Sequence, residues 1–375
     1  MSDFRVAVVG LGSAGATLHL PALQGIAGVS VVGAMELDAE RRARAAAKFG
    51  VPVFSDFQAM LTGASPDVVI VATPPDTHAD YTLRSLAAGA HVVCEKPFVS
   101  SLQEADQIIA AAATAKRQVA LNHEFRHMPI FRALTDAAAP SEVVFAQVWQ
   151  LMDLAPGVEA GWRGALRQRT LFEAGSHLID FLMALFGEKP ISVSATTSMC
   201  GVQEGDGDAV ALVTLEFSRG RLAQIVQNRL CKSATHYFEV RAETRAASFR
   251  ASFGGRARMT AGLLRSTRPH VRLEYGVSGL AWREVGANRE VLASNPKHPE
   301  MLGTRYVLEK SLAAFRDGTA PPTTAQRGRD VIEVIAACYR SAATGQRLSL
   351  NAETEASVSA LRMGASRPAS QLVTS

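Results

Sequence analysis

The chain is poor in cysteine, has no long uncharged apolar run and carries only a small excess of charge. Its four cysteines, Cys94, Cys200, Cys231 and Cys338, lie far apart. None forms a Cys-x-x-Cys pair or a Cys/His spacing suited to a metal, so reduced thiols and no metal centre are expected. No apolar stretch reaches membrane length. The start, Met1-Ser2-Asp3-Phe4-Arg5, enters a strand directly, without a charged-then-apolar leader. These features together predict a cytoplasmic protein with no membrane partner. Lys and Arg number 39 against 35 Asp and Glu, a net charge of +4. That is too mild for a nucleic-acid partner but suits an anionic cofactor or substrate. No internal repeat occurs.

What is present is length and apolar content. At 375 residues, 47% of them hydrophobic, two domains are the expectation. Strand and helix patterns alternate from residue 4 to residue 122, which predicts a parallel sheet with right-handed crossovers. Expected strands cover 4–10, 29–36, 51–54, 67–72, 90–95 and 118–122. The expected helices cover 14–26, a stretch from the N-cap Asp38 to Gly50, a short one through Leu61, 77–88, and one from Ser100 or Ser101 to 116. Beyond 122 the strands follow one another: 142–151, 190–199, 208–217, 221–230 and 236–250. Their alternation of apolar and polar residues predicts an antiparallel sheet with one covered face. Helices are expected at 170–186, 300–317 and 325–344, the last two stopped by Gly318 and Gly345. The resulting division is a dinucleotide-binding domain (1–122), a substrate and oligomerisation domain (123–350) and a loosely held tail (351–375).

Gly10-Leu11-Gly12-Ser13-Ala14-Gly15 sits between the first strand and the first helix, where a dinucleotide fingerprint belongs. Gly10 allows the turn, Gly12 admits the pyrophosphate and Gly15 lets helix pack on strand. Glu36 ends the second strand, 21 residues after Gly15, where a carboxylate accepts ribose hydroxyls and repels a 2′-phosphate. NAD is therefore favoured over NADP. Arg41 and Arg42 are the candidates for a 2′-phosphate, although a solvated helix face is the preferred reading of both. Lys96, in Cys94-Glu95-Lys96-Pro97, lies at the carboxyl edge of a strand and points into the crevice where such sheets bind ligands.

Together with Ala72-Thr73-Pro74-Pro75-Asp76-Thr77-His78, Asn122-His123-Glu124-Phe125-Arg126 and Glu173-Ala174-Gly175-Ser176-His177-Leu178-Ile179-Asp180, these motifs resemble the glucose-fructose oxidoreductase / inositol dehydrogenase / MocA (Gfo/Idh/MocA) family. The resemblance covers residues 4–187 with specific motifs. It implies a Rossmann domain plus a C-terminal α/β domain with a large open, mostly antiparallel sheet that mediates a homodimer or homotetramer. It implies hydride transfer between NAD or NADP and a secondary alcohol or ketone of a sugar, cyclitol or related compound. Carried over by residue, Lys96 matches the active-site lysine and His177 the histidine that handles the hydroxyl proton. Thr73, Pro74 and His78 match the nicotinamide-side loop, Glu95 a residue beside the nicotinamide ribose, and Asp180 a framework aspartate. A cis Lys96–Pro97 peptide is also implied. Many members have Asp at Glu173 and a glycine pair where this chain has Gln168-Arg169-Thr170. Those departures bear on the substrate more than on the redox chemistry.

Glu173, His177 and Asp180 are spaced i, i+4, i+7, which puts them on one helix face opposite Leu171, Leu178, Leu182 and Leu185. A polar stripe with a histidine suits a proton relay. Alternatively, Thr170-Leu171-Phe172-Glu173 fits a capping box with Glu173 folded back on the Thr170 N–H. Arg126, Trp162, Arg163, Arg167, Arg169 and Asp180 are candidates for an anionic, sugar-like substrate; the alternative for the arginines is a solvated sheet face or subunit contact, and Trp162 stacks on a sugar ring or packs the linker. The same alternatives apply to Arg241, Arg245, Arg250, Arg256, Arg258, Arg265, Arg268 and Arg272. His298 reads as a loop residue. Two other functions stay open. One is a lyase or glycoside-cleaving enzyme that oxidises its substrate only transiently. The other is a non-catalytic NAD-binding regulator.

Overall fold

A computed structural model describes residues 3–138, 143–153, 162–166, 168–201, 208–232, 237–253, 257–262, 270–275, 279–351, 361 and 363. The first unit is a six-stranded parallel sheet. Its strands are β1 (Phe4–Val9), β2 (Val29–Met35), β3 (Val53–Phe54), β4 (Val68–Val71), β5 (His91–Glu95) and β6 (Val119–Asn122), in the order β3-β2-β1-β4-β5-β6. Val6, Val8, Val68, Val69, Ile70, Val92 and Val93 are fully buried, as strands covered on both faces require. Strand order reverses between β1 and β4, so the loops after these two strands diverge and open a crevice at their carboxyl ends.

Local chemistry places the helices. Asp38 accepts from Arg41 N and Asp56 from Ala59 N, each capping the helix that follows. Ser101 does the same for Leu102–Ala115, and Gly50 closes Ala39–Phe49 in the left-handed region at φ 65°. The helix after the glycine turn differs from the expected continuous 14–26. It opens as a wide π-turn over Gly15–His19, continues as Leu20–Leu23, and carries Pro21 at its start. A proline ring collides with the carbonyl four residues back and offers no N–H, which disfavours a regular α-helix through this point.

The second unit is a nine-stranded sheet. Its strands are β7 (Val143–Leu151), β8 (Ser192–Ser198), β9 (Val210–Glu216), β10 (Leu222–Asn228), β11 (Tyr237–Thr244), β12 (Ser248–Phe253), then β15 (Leu280–Val285), β16 (Asn288–Ser294) and β17 (Leu348–Ser349). Between β12 and β15 lies a separate hairpin of β13 (Ala257–Gly262) and β14 (His270–Tyr275). The large sheet runs β16-β15-β12-β11-β7-β10-β9-β8-β17 and is antiparallel apart from the β7–β10 pair. The expected single strand 236–250 is two strands. Thr244 Oγ1 accepts from Ala246 N and Ala247 N and turns the chain back. The sequence reading also missed the helix Pro129–Ala138 and the β13–β16 hairpins.

Helices Pro129–Ala138, Ser176–Phe186 and Ala325–Thr344 cover one face of this sheet. Ala211, Val213 and Leu215 of β9 point into that core, whereas Leu212 of β9 and Leu222 of β10 stand exposed on the other face. Helix Pro299–Asp317 returns to the first unit and packs against the glycine-turn helix. Most of the expected tail, 351–375, lies outside the described residues. Met363 is nevertheless buried, with its N–H donating to Ser100 O. Among the described residues no helix is long and apolar enough to cross a membrane.

Candidate active site

At the switch point a cleft of about 820 Å³ runs from the glycine turn to the second unit. Its wall carries Gly10, Gly12, Ser13, Ala14, Glu36, Thr73, Pro74, Glu95 and Lys96, and on the far side Trp162, Arg163 and Glu173. Leu11, Gly15 and His78 stand behind this wall. Gly10 has φ 89°, and a side chain there would meet Ala72 O at 2.6 Å. A Cβ on Gly15 would lie 1.9 Å from Gly10 O, whereas Gly12 faces open space. The turn is thus closed on its protein side and open on its cleft side, which fits a dinucleotide pyrophosphate.

Glu36 fixes this turn. Its Oε2 accepts from Leu11 N at 2.9 Å and its Oε1 from Asp38 N at 3.1 Å. Arg41 and Arg42 are not simply a solvated helix face. Arg42 donates to the carbonyls of Glu36 and Leu37, and Arg41 lines the cleft 3.7 Å from Glu36 Oε2.

The loops after β4 and β5 are tied together by His78. Its Nε2 lies 2.8 Å from Thr73 O, and its Nδ1 is 3.0 Å from both Pro97 O and Phe98 O. The Lys96–Pro97 peptide is cis, as the resemblance implies. Glu95 Oε1 meets His19 Nε2 and Asn122 Nδ2, each at 2.7 Å, and Asn122 also reaches Thr304 Oγ1. Burial alone would raise the Glu95 pKa. The His19 and Asn122 hydrogen bonds and the nearby Lys96 outweigh it and hold the carboxyl near 2. Lys96 Nζ donates to Glu173 O at 3.4 Å.

The helix bearing Glu173, His177 and Asp180 begins with a π-turn, Thr170–Gly175, that continues as Ser176–Phe186. The capping box does not form. Asp208 instead accepts from Arg169 N, Thr170 N and Leu171 N, so the Glu173 side chain turns to arginines. Its Oε1 meets Arg163 Nε at 2.5 Å, and its Oε2 meets Arg169 Nε at 2.8 Å and Arg229 Nη1 at 3.5 Å. Burial would raise its pKa, but Lys96, Arg169 and Arg163 hold it near 2. Glu173 is thus a carboxylate held in an ion-pair cluster, of whose three arginines Arg163 lines the cleft.

Past Glu173 the polar stripe is buried rather than open. Ser176 to Met183 are all buried, and each stripe residue meets different groups. Asp180 pairs with Arg126 Nε at 2.7 Å and Arg327 Nε at 3.1 Å. Burial would raise its pKa, but the two arginines and His123 hold it near 2. This locks Arg126 and Asp180 into the framework, away from the cleft wall. His177 stacks on Phe125, ring centroids 4.0 Å apart, and its Nε2 is 3.8 Å from Glu124 Oε1. It too stands behind the wall, and Glu124, to which sequence reasoning gave no role, lies on the wall in its place. Only its place in the Asn122–Arg126 run, just past the end of a strand, hinted at this.

Of the other expected arginines, Arg250 and Arg241 are held by the buried Glu239. Arg245 is exposed. Arg167, Arg256, Arg265 and Arg268, and the side chains of Arg258 and Arg272, lie outside the described residues. His298 is in the left-handed region just before helix Pro299–Asp317.

Comparison with known proteins gives two family matches. Residues 4–123 match the oxidoreductase family with NAD-binding Rossmann fold (GFO/IDH/MocA), and residues 132–248 match the GFO/IDH/MocA C-terminal domain. A 1,5-anhydro-D-fructose reductase of Ensifer adhaerens is 29% identical over 57% of this chain and 66% of its own. A D-apiose dehydrogenase of Paraburkholderia graminis is 28% identical over 57% of this chain and 58% of its own. The chain thus spans less than two thirds of the length of these curated relatives. The structure of GenD2 from gentamicin A biosynthesis, in complex with NAD, superposes with a TM-score of 0.76 at 23% identity. It covers 94% of this chain and 97% of its own, a likeness of fold.

Proposed function

Because this chain belongs to the GFO/IDH/MocA oxidoreductase family, we propose that it is an NAD(P)-dependent enzyme acting on a secondary alcohol or ketone of a sugar, cyclitol or sugar derivative. One observation carries the proposal: a single cleft brings together an open glycine turn, the Glu36 carboxylate and the Lys96 ammonium. The N–H groups at the start of the glycine-turn helix face the pyrophosphate. Glu36 keeps lone pairs for ribose hydroxyls beyond those used by Leu11 N and Asp38 N. NAD is the preferred cofactor on this ground, and Arg41 leaves a route to NADP. Thr73, Pro74, Glu95 and Lys96 border the nicotinamide end. When bound, the nicotinamide supplies a hydride donor or acceptor.

The chain's own residues do the rest. Lys96 uses one of its three donors on Glu173 O, and the others remain for a substrate oxygen. An ammonium there stabilises negative charge developing on that oxygen. The clamped Glu173 holds Arg163 beside the cleft, and Arg163 stacks over Trp162 with its guanidinium carbon 4.5 Å from the ring centre. This edge suits a sugar ring bearing an anionic group. The relatives described as a sugar reductase and a sugar dehydrogenase support the substrate class. The free thiols of Cys94, Cys200, Cys231 and Cys338 support a cytoplasmic location. The open face of the large sheet, with Leu212 and Leu222 exposed, supports pairing of copies into a homodimer or homotetramer.

The test is turnover against sugars, uronates, cyclitols and nucleotide sugars, with NAD and NADP in parallel. Change in reduced-nicotinamide absorbance with at least one class is expected. Silence across the panel, with the dinucleotide still binding in a calorimeter, would count against the redox reading.

A further inference from the structure

Glu124 opens the short 3₁₀ turn Glu124–His127, directly after β6. It is 5% exposed, yet it lines the cleft beside Lys96 and Glu173. Its Oε1 is 3.8 Å from His177 Nε2, and its Oε2 is buried without a hydrogen-bond partner among the described residues. The turn is held tightly, because Gly303 passes so close that a Cβ there would lie 2.5 Å from Glu124 O. A buried carboxyl oxygen with no partner costs free energy, a cost that falls when the group sheds its charge or gains a bound partner.

We propose that Glu124 is a catalytic residue, the one that exchanges a proton with the substrate oxygen held by Lys96. The proposal rests on the redox reading above and deepens it. The groups facing Glu124 are Glu95 and Lys96 from the end of β5, Glu173 and His177 from the helix opposite, and Glu300 from helix Pro299–Asp317. Burial and the negative charges of Glu95 and Glu300 push its pKa up, to about 8, against the pull of Lys96. Glu124 is thus a carboxylic acid at neutral pH, able to give a proton. In reduction the carbonyl carbon gains the hydride, and the C=O π pair moves onto oxygen. That oxygen forms its O–H bond as the Glu124 O–H bond breaks, and the carboxylate regains a proton from the solvent of the cleft it lines. In oxidation the same bonds change in reverse, and the Glu124 carboxylate takes the hydroxyl proton.

Reduction is fastest below about pH 8 and falls as Glu124 loses its proton, while oxidation rises through the same range. Infrared titration of the free protein is the first test, wild type minus Glu124→Gln. A protonated-carboxyl band at neutral pH that disappears near pH 8 and is absent from the variant is expected. No such band overturns the proposal. In kinetics, Glu124→Gln should lower kcat by ~10²-fold or more, remove the limb near pH 8 and leave dinucleotide affinity unchanged. Glu124→Asp should restore the limb at reduced rate. An active wild type with an equally active Glu124→Gln variant defeats this proposal and leaves the redox reading standing. An inactive wild type defeats both.

Discussion

Replacing Glu173 by Gln removes one charge from a site where three guanidinium groups converge, and its cost can be worked from the contacts. Arg163 is 37% exposed in its side chain, so its 2.5 Å pair with Oε1 is screened by solvent and contributes about 0.5 kcal/mol. Arg169 and Arg229 are 5% and 2% exposed and share Oε2. Removing the charged partner of a buried pair costs ~3–5 kcal/mol. The amide keeps one acceptor oxygen, so the lower end applies and the total is about 3.5 kcal/mol. The assay is urea denaturation of wild type and variant, reading the shift in midpoint at unchanged slope. Dinucleotide binding in the calorimeter should persist. The neutral-pH limb of the rate profile should persist too, because a carboxyl held near 2 does not titrate there. A loss below about 1 kcal/mol, or loss of the neutral limb, would refute a positioning role for Glu173.

Three further predictions follow from the framework. Glu36→Ser removes the carboxylate that repels a 2′-phosphate while Arg41 remains in the cleft, so the NADP-to-NAD ratio of kcat/KM should rise by about 10-fold or more, one cofactor contact of ~1.4 kcal/mol. Asp180 is held near 2 by Arg126, Arg327 and His123. Its ordinary pKa being 3.8, its contribution of about 2.5 kcal/mol is present above that pH and is lost as the pH falls toward 2. Acid unfolding of Asp180→Asn should lose that part of the pH dependence. Gly303→Ala drives a methyl into Glu124 O at 2.5 Å; thermal denaturation should show a loss of ~1–3 kcal/mol, and kcat should fall more than dinucleotide affinity.

The first unit was legible in the sequence because each of its signals is local. Asp38, Ser101 and Gly50 mark helix ends through their own side chains or φ, and six short apolar runs could only be buried strands. The glycine turn and Glu36 were legible for the same reason. The second unit was less so. The turn at Thr244–Ala247 has no Gly or Pro to announce it, so two strands read as one. Around the cleft, long-range partners decided what sequence spacing could not. Asp208 reaches back 38 residues to Thr170 N, and that contact, absent from any local pattern, frees Glu173 for the arginines. Helical spacing put Glu173, His177 and Asp180 on one stripe. It could not show that Arg126 takes Asp180 into the framework or that Glu124 stands between His177 and the cleft. Glu124 lies inside the Asn122–Arg126 motif with no role assigned to it there, and only its burial beside Lys96 singles it out.

The most direct test of the central claim follows deuterium from a substrate labelled at the reacting carbon, in wild type and in Lys96→Ala. The account predicts deuterium on the released reduced dinucleotide in stoichiometric amount. Turnover should fall ~10²–10³-fold in the variant, with dinucleotide affinity retained. Product formed with no label on the released dinucleotide would contradict net hydride transfer and point to transient oxidation. Equal turnover by Lys96→Ala would remove the lysine from the chemistry.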